Sequence, residues 1–121
     1  MGIPLLICDD SNMARKQVTR SLPDDWEVDI TYAKNGVEGL AAIREGKGEM
    51  VFLDLTMPEM DGYGVLENVF KDNLNAVVIV ISGDIQPEAR DRVMKLGAVD
   101  FIKKPVNKDK LAAVLHDYGL L

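Results

Sequence analysis

Short apolar runs alternate along the chain with segments in which apolar residues recur every three or four positions. The runs predict five strands, which cover residues 4–8, 28–33, 50–54, 76–82 and 99–103. The first, third and fourth runs are almost continuously apolar, a pattern typical of central strands that a parallel sheet buries on both faces.

The segments that follow the runs predict five amphipathic helices. Their apolar positions, in chain order, are Ala14, Val18 and Leu22; Val37, Leu40, Ala41 and Ile43; Val65, Leu66, Val69 and Phe70; Ala89, Val93, Met94 and Leu96; Leu111, Val114, Leu115 and Tyr118. Asn35 marks the start of the second helix, Pro87 lies in the first turn of the fourth, and Gly46, Gly97 and Gly119 mark helix ends. Strands that alternate with helices predict the α/β class, a (βα)5 parallel sheet doubly wound by right-handed crossovers.

Length and composition indicate one globular domain. The chain has 121 residues, of which 47% are hydrophobic and 28% charged. We expect a single domain over residues 1–121 without an output domain, because no linker or repeat interrupts the pattern. The apolar runs are too short to span a membrane, and the first residues lack a signal peptide. Cys8 is the one cysteine and lies in an apolar run, so we expect a buried, unreactive thiol and a cytoplasmic location.

The net charge of −6 argues against general nucleic-acid binding. Residues 1–84 carry 7 Lys/Arg and 15 Asp/Glu, a net of −8, whereas residues 85–121 carry 7 and 5, a net of +2. This asymmetry is compatible with a solvated acidic body. It is equally compatible with a carboxylate-lined site in the first part and a partner-binding face in the second.

Polar residues stand at the carboxyl ends of four predicted strands, the edge at which such sheets bind ligands. In chain order they are Asp9 and Asp10, Asp54, Ser82, and Lys103, Lys104 and Pro105. Three clustered carboxylates repel one another unless a cation compensates their charge. Because the ligands are all oxygens, the group favours a hard ion, Mg²⁺ above all, with Mn²⁺ as a substitute. Asp54 is then a candidate nucleophile that forms an aspartyl phosphate.

The order of these residues resembles the receiver domain of two-component response regulators, and in length the single-domain chemotaxis type. The resemblance covers the whole chain and rests on four motifs: Asp9-Asp10; Asp54 followed by Met57-Pro58 and Asp61-Gly62; Ser82-Gly83; and Lys104-Pro105. It implies a flavodoxin-like fold with strand order 2-1-3-4-5. It also implies a phosphorylation switch, not an enzyme that turns over external substrates.

The resemblance assigns roles to individual residues. Asp54 would accept the phosphoryl group, and Asp10, Asp54 and the backbone carbonyl of Thr56 would ligate Mg²⁺, with Asp9 acting directly or through water. Lys104 would pair with the phosphoryl group.

The resemblance also implies roles for residues on the loops after the third and fourth strands and on the fifth strand. Thr56, Ser82 and Gly83 would contact the phosphoryl group. Ser82 and Phe101 would act as the switch, and the Lys104–Pro105 bond would be cis. Thr56 and Asp84 occupy positions that tune the phosphoryl lifetime.

Plainer interpretations exist for several of these residues. Asp9 and Asp10 also suit the cap of the first helix. Lys103 competes with Lys104, but strand alternation sends the two to opposite faces, and the position before proline favours Lys104. Phe101 also suits an ordinary core position, and His116, the one histidine, is more consistent with a surface role than with a phosphodonor.

The resulting hypothesis is a stand-alone response regulator. A histidine kinase or a small acyl phosphate would phosphorylate Asp54, and the fourth helix, fifth strand and fifth helix would bind a protein target or a phosphatase, as in chemotaxis. The protein would be a monomer or a weak, phosphorylation-dependent dimer. The alternatives within this family are a phosphorelay intermediate, a phosphate sink and a binding-only receiver that is never phosphorylated.

Two other classes fit less well. A haloacid-dehalogenase-type phosphatase needs a second Asp where this chain has Thr56. A nucleotide- or flavin-binding module needs a Gly-rich phosphate loop after the first strand, where this chain has Asp9 and Asp10.

Overall fold

The computed structural model describes residues 2–83 and 86–120. Within them the strands are β1 (Ile3–Cys8), β2 (Val28–Ala33), β3 (Met50–Leu53), β4 (Val77–Ser82) and β5 (Asp100–Lys103). The helices are α1 (Asn12–Arg20), α2 (Gly36–Arg44), α3 (Gly62–Lys71), α4 (Pro87–Lys95) and α5 (Lys108–Asp117). The strands form one parallel sheet in the order β2-β1-β3-β4-β5, which confirms the predicted fold class and strand order.

The sheet separates two hydrophobic cores. One core packs residues such as Leu6, Val51 and Val80 against α2, α3 and α4. The other packs Leu5 and Phe52 against α1 and α5. The two sets alternate along each strand because successive side chains of a strand point to opposite faces. All four residues of β3 are buried, as predicted for a central strand.

Strand β3 ends one residue earlier than predicted. Its last residue is Leu53, and Asp54 is the first residue beyond it. Asp54 nevertheless remains tied to the sheet, because its backbone N–H donates a hydrogen bond of 2.9 Å to the Cys8 carbonyl. The strand therefore delivers the Asp54 side chain to the sheet edge without including it in the ladder.

The buried face of α2 differs from the predicted one. Val37 is 51% exposed, whereas Gly36 and Gly39 are buried. A Cβ at Gly36 would lie 2.2 Å from the Met60 carbonyl oxygen, and one at Gly39 would lie 2.7 Å from Cys8 Sγ. The apolar periodicity was misleading here because α2 packs most closely through residues that have no side chain.

Three further large apolar side chains predicted to face inwards are exposed. Phe70 is 68%, Tyr118 47% and Met94 37% exposed. Each lies in the last turn of its helix or at its C-cap. The predicted helix ends themselves are correct, since Gly46 and Gly97 follow the helices with φ angles of +82° and +101°.

No helix in the described parts of the chain combines the length and the apolar character needed to cross a lipid bilayer.

Candidate functional site

The loop between β1 and α1 holds Asp9 firmly and leaves Asp10 exposed. The N–H of Asp9 donates to the Ala33 carbonyl at 3.0 Å, and its Oδ1 accepts the N–H of Ser11 at 2.9 Å. Asp9 is 4% exposed. Ser11, not either aspartate, caps α1, because its hydroxyl accepts the N–H of Ala14. The carboxylates of Asp9 and Asp10 are therefore not used to cap the helix.

The loop between β3 and α3 holds Asp54 against the start of α3. The N–H of Gly62 donates to the Leu55 carbonyl at 2.9 Å. A Cβ on Gly62 would lie 2.3 Å from the Asp54 carbonyl oxygen, so only glycine permits this approach. Asp61 caps α3 by accepting the N–H of Gly64. The turn between β3 and Asp61 contains Glu59, whose φ angle is +67°. The constrained turn therefore places the helix directly behind Asp54.

Lys104 brings a cation to the two buried carboxylates. Its Nζ lies 2.9 Å from Asp9 Oδ2 and 3.4 Å from Asp54 Oδ1. Its backbone N–H donates to the Ser82 carbonyl at 2.8 Å, which joins the ends of β5 and β4. The Lys104–Pro105 peptide bond is cis. Lys103 is exposed, so the structure places Lys104 at the site and Lys103 outside it.

The burial of these charges changes their proton affinities. Burial raises the pKa of Asp54, and the charge of Asp9 raises it further, while Lys104 and the N–H of Leu55 partly offset both. Burial lowers the pKa of Lys104, but its hydrogen bond to Asp9 and the charge of Asp54 outweigh that effect, so the net pKa is raised. The site therefore favours the protonated form of Lys104 and disfavours the ionised form of Asp54, each relative to the free side chain.

The carboxylates of Asp9, Asp10 and Asp54 form a group of metal-ligand size. One oxygen from each lies within 4.8 Å of the others, and Asp10 is exposed. Burial raises the pKa of the adjacent Cys8 thiol to about 12, so no thiolate competes as a ligand. Three anions with one ammonium leave negative charge uncompensated at this edge. An oxygen-only, partly solvated group of this kind fits Mg²⁺, which retains water ligands.

The other residues singled out in the sequence lie on β4, β5, α5 and the loops that follow β3 and β4. Ser82 is buried at the end of β4, and Gly83 and Thr56 are exposed on the loops after β4 and β3. Phe101 is half-buried and packs against the core of the α2–α4 side. His116 is exposed on α5. Asp84, predicted to tune the phosphoryl lifetime, lies outside the described residues.

One contact at the site was not anticipated from the sequence. The guanidinium of Arg15 donates a 2.6 Å hydrogen bond to the Asp9 carbonyl. Arg15 stands on a helix rich in basic residues, so its charge alone did not distinguish it from Lys16 or Arg20. Only its position near the start of α1, six residues after Asp9, indicated that its side chain could reach back to the loop.

A protein-family model for the response regulator receiver domain matches residues 5–116. The chain belongs to this family. A Listeria monocytogenes chemotaxis protein CheY is 37% identical over 115 residues, covering 94% of this chain and 96% of that protein. A protein-glutamate methylesterase/protein-glutamine glutaminase of Geobacter sulfurreducens is 41% identical over 104 residues. The alignment covers 85% of this chain but only 28% of that relative.

Solved structures show the same receiver architecture. The CheX-CheY-BeF3-Mg²⁺ complex from Borrelia burgdorferi contains a chain that matches with a TM-score of 0.86 and 29% identity, covering 97% of this chain and 89% of that one. Vibrio cholerae CheY4 matches with a TM-score of 0.82 and 25% identity, covering 97% and 98%. This chain is therefore a receiver domain of the CheY type.

Proposed function

We propose that this receiver domain is a phosphorylation switch in which Asp54 accepts a phosphoryl group from a histidine kinase or from a small acyl phosphate. The observation that carries the proposal is the position of the Lys104 ammonium, 2.9 Å from Asp9 and 3.4 Å from Asp54. A structural ion pair needs one carboxylate, whereas phosphoryl transfer needs a nucleophilic carboxylate, a cation for the incoming oxygens and further anions for a metal.

In the reaction, an Asp54 carboxylate oxygen attacks phosphorus, and the donor leaves with the electrons of its bond to phosphorus. The burial that raises the pKa of Asp54 also removes water from its carboxylate, so that no hydration shell has to be displaced before the nucleophile attacks. Asp9, Asp10, Asp54 and the Thr56 carbonyl would hold Mg²⁺, or Mn²⁺ in its place. The bound ion supplies positive charge that neutralises the phosphoryl oxygens. Similarity to the Borrelia burgdorferi complex, which contains Mg²⁺, supports Mg²⁺ as the ion.

Lys104 would turn from its present carboxylate partners to a phosphoryl oxygen, and Thr56, Ser82 and Gly83 would contact the others. The N–H of Lys104 already donates to the Ser82 carbonyl, so a movement at either residue is transmitted to the other strand. Phe101, three residues before Lys104 on β5, would respond as the second part of the switch.

The output face would consist of α4, β5 and α5. An ion pair links β5 to α4, since Asp100 pairs with Arg90 at 3.6 Å, and the negative charge of Asp100 raises the pKa of Tyr118 at the end of α5. A protein target or a phosphatase would bind there. Likeness to chemotaxis protein CheY supports a chemotaxis role, and likeness to the receiver part of methylesterases is compatible with other outputs.

We also propose an assembly state and a cellular compartment for this domain. We propose that this receiver domain acts in the cytoplasm, as a monomer or as a weak dimer that forms on phosphorylation. A phosphorelay intermediate or a phosphate sink would use the same chemistry at Asp54. A binding-only receiver would not.

The test is the intact mass of the protein after incubation with acetyl phosphate, with and without Mg²⁺, for the parent and for Asp54→Ala. We expect one Mg²⁺-dependent phosphoryl adduct on the parent alone, lost over time by hydrolysis. An adduct that persists on Asp54→Ala would place the acceptor elsewhere. A folded parent that forms no adduct with acetyl phosphate or with phosphorylated kinases would leave the binding-only receiver as the function.

A further inference from the structure

One residue of α1, Arg15, forms a hydrogen bond to the backbone of the loop that carries two of the three site carboxylates. Arg15 donates from Nη1 to the Asp9 carbonyl at 2.6 Å and from Nη2 to Asn12 Oδ1 at 3.3 Å. Two bonds from one planar guanidinium fix its orientation as well as its distance. Within the described residues, Arg15 is the group that donates to this carbonyl.

The Asp9 carbonyl needs such a donor because it lies just beyond the sheet and before the helix. Strand β1 pairs with β2 and β3 only as far as Cys8, and α1 starts at Asn12. Regular secondary structure therefore leaves this acceptor without a partner. A carbonyl in a half-buried position without a donor would rotate to find water.

The orientation of this carbonyl determines the direction of Asp10. The carbonyl belongs to the planar peptide that joins Asp9 to Asp10, so its rotation turns the backbone from which the Asp10 side chain projects. Asp9 has other restraints, since its N–H, Oδ1 and Oδ2 bond to Ala33, Ser11 and Lys104. The Asp10 carboxylate is exposed and has no recorded side-chain partner among the described residues.

We propose that Arg15 is a positioning residue of the metal site, which holds the Asp9–Asp10 peptide so that the Asp10 carboxylate stays beside Asp9 and Asp54. This inference rests on the proposed function, because it assumes that the three carboxylates bind Mg²⁺. It adds that a cation on the neighbouring helix strengthens the binding of another cation.

Simple electrostatics predicts the opposite sign, which makes the inference testable. The positive charge of Arg15 reaches the edge of the site, where it lowers the pKa of the Cys8 thiol against the stronger effects that raise it. If charge were its only contribution, Arg15→Met would tighten Mg²⁺ binding. If Arg15 positions Asp10, the same substitution weakens binding.

The experiment is calorimetric titration with Mg²⁺ in the absence of any phosphodonor, at constant ionic strength. We expect Arg15→Met to weaken Mg²⁺ binding about tenfold, the lower end of the usual effect of residues that orient metal ligands. The matched control is Lys16→Met, which removes the same charge from the next, exposed position of α1 and should leave binding unchanged or slightly tighter. Binding by Arg15→Met that equals or exceeds that of Lys16→Met would overturn the inference.

The Arg15→Lys variant gives a second test of the same affinity. It leaves the net charge unchanged and disturbs folding less than Arg15→Met does. It keeps the charge but loses the planar fork, so we expect Mg²⁺ binding to weaken at least about threefold. Affinity equal to that of the parent would count against positioning. In metal-free protein, the amide resonances of Asp10 and Ser11 should shift more in Arg15→Met than those of residues on α3.

The outcomes separate this inference from the proposed function. A parent that binds no Mg²⁺ contradicts both. A parent that binds Mg²⁺ and is phosphorylated at Asp54, with Arg15→Met indistinguishable from Lys16→Met, contradicts only the role of Arg15.

Discussion

The two edges of the sheet both carry clustered acidic residues, and they differ in almost everything else. At the carboxyl edge, Asp9 and Asp54 are 4% and 7% exposed and share the Lys104 ammonium. At the amino edge, Asp25, Glu27 and Glu49 line an open groove of about 570 Å³ beside Trp26. These three residues are exposed, and no ion pair of their carboxylates occurs within the described residues.

The two edges therefore differ in the burial of their carboxylates and not in the number of carboxylates. An exposed carboxylate is stabilised by water and needs no partner. A buried carboxylate depends on the groups around it, so its pKa and its reactivity respond to each of them. The following predictions test whether the two edges differ in this way.

The largest effect on the rate of phosphorylation is expected from Lys104→Met. Removal of the ammonium takes away the protein cation nearest to the incoming phosphoryl group, so phosphorylation by acetyl phosphate should slow about 100-fold, equivalent to about 2.7 kcal/mol of barrier. Lys103→Met is the matched control and should stay within about twofold, because an exposed charge contributes little. Adduct formation followed by intact mass measures both. Equal rates of phosphorylation for the two variants would show that Lys104 takes no part in the reaction.

Gly62→Ala should destabilise the carboxyl edge by about 3 kcal/mol, because the new methyl group collides with backbone that has no room to move. The nearest atoms are the Asp54 carbonyl oxygen at 2.3 Å and Leu55 Cα at 2.8 Å. In Gly64→Ala the nearest atom is Met60 Cγ at 2.7 Å, in a flexible side chain, so that variant should stay within about 1 kcal/mol of the parent. Urea unfolding followed by the fluorescence of Trp26, the one tryptophan, reports both.

Mg²⁺ should stabilise the protein through the carboxyl edge alone. At a concentration one hundred times the dissociation constant, a ligand that binds only the folded state adds about 2.7 kcal/mol to the free energy of unfolding. We expect Asp10→Asn to lose most of this gain and Glu49→Gln, at the amino edge, to keep it. Thermal unfolding with Mg²⁺ and with a chelator measures the gain. Its loss in Glu49→Gln would show that the open acidic groove binds the ion.

Without metal, Asp54→Asn should stabilise the protein by about 1 kcal/mol at neutral pH, the ordinary size of a single-substitution effect. The pKa of Asp54 is raised above 3.8 in the folded state, so the folded protein holds this proton more tightly than the unfolded chain does. The associated stability is fully present below pH 3.8 and is lost as the pH rises through the folded pKa.

The advantage of Asp54→Asn over the parent should therefore grow between pH 4 and pH 7 in urea titrations. Glu49→Gln should stay within about 0.5 kcal/mol of the parent across this range, as is usual for exposed positions. A stabilisation by Asp54→Asn that is independent of pH would show that its charge is not the cause.

Much of this architecture is readable from the sequence. The alternation of apolar runs and helical stripes led to the correct strands, helices and fold class, because periodicity reflects which face of each element is buried. The parallel order then places the carboxyl ends of β1, β3, β4 and β5 at one edge. That rule alone brings Asp9, Asp54 and Lys104 together. Strand alternation separated Lys103 from Lys104, and the position before Pro105 favoured Lys104.

The sequence did not predict what depends on close approach between distant segments. The inward face of α2 was predicted only in part, since Ile43 is buried but Val37 is exposed. Glycines carry no hydrophobic signal, and the role of Gly36 and Gly39 became visible only through their contacts with Met60 and Cys8. Arg15 was overlooked for a related reason, since its partner is a backbone carbonyl, which every residue possesses. Phe70 was assigned to the core, yet the structure exposes it.

The sequence by itself therefore determined the order of the elements and the chemical identity of the groups at the carboxyl edge. Only the tertiary structure decided how strongly these groups hold their protons, because the pKa of Asp54 depends on its burial and on two groups remote in sequence, Asp9 and Lys104. Lys104 and Asp9, whose side chains lie 2.9 Å apart, are separated by 95 residues. Local patterns describe how each segment meets solvent and core, whereas the electrostatics of a site is the sum over all segments that meet there.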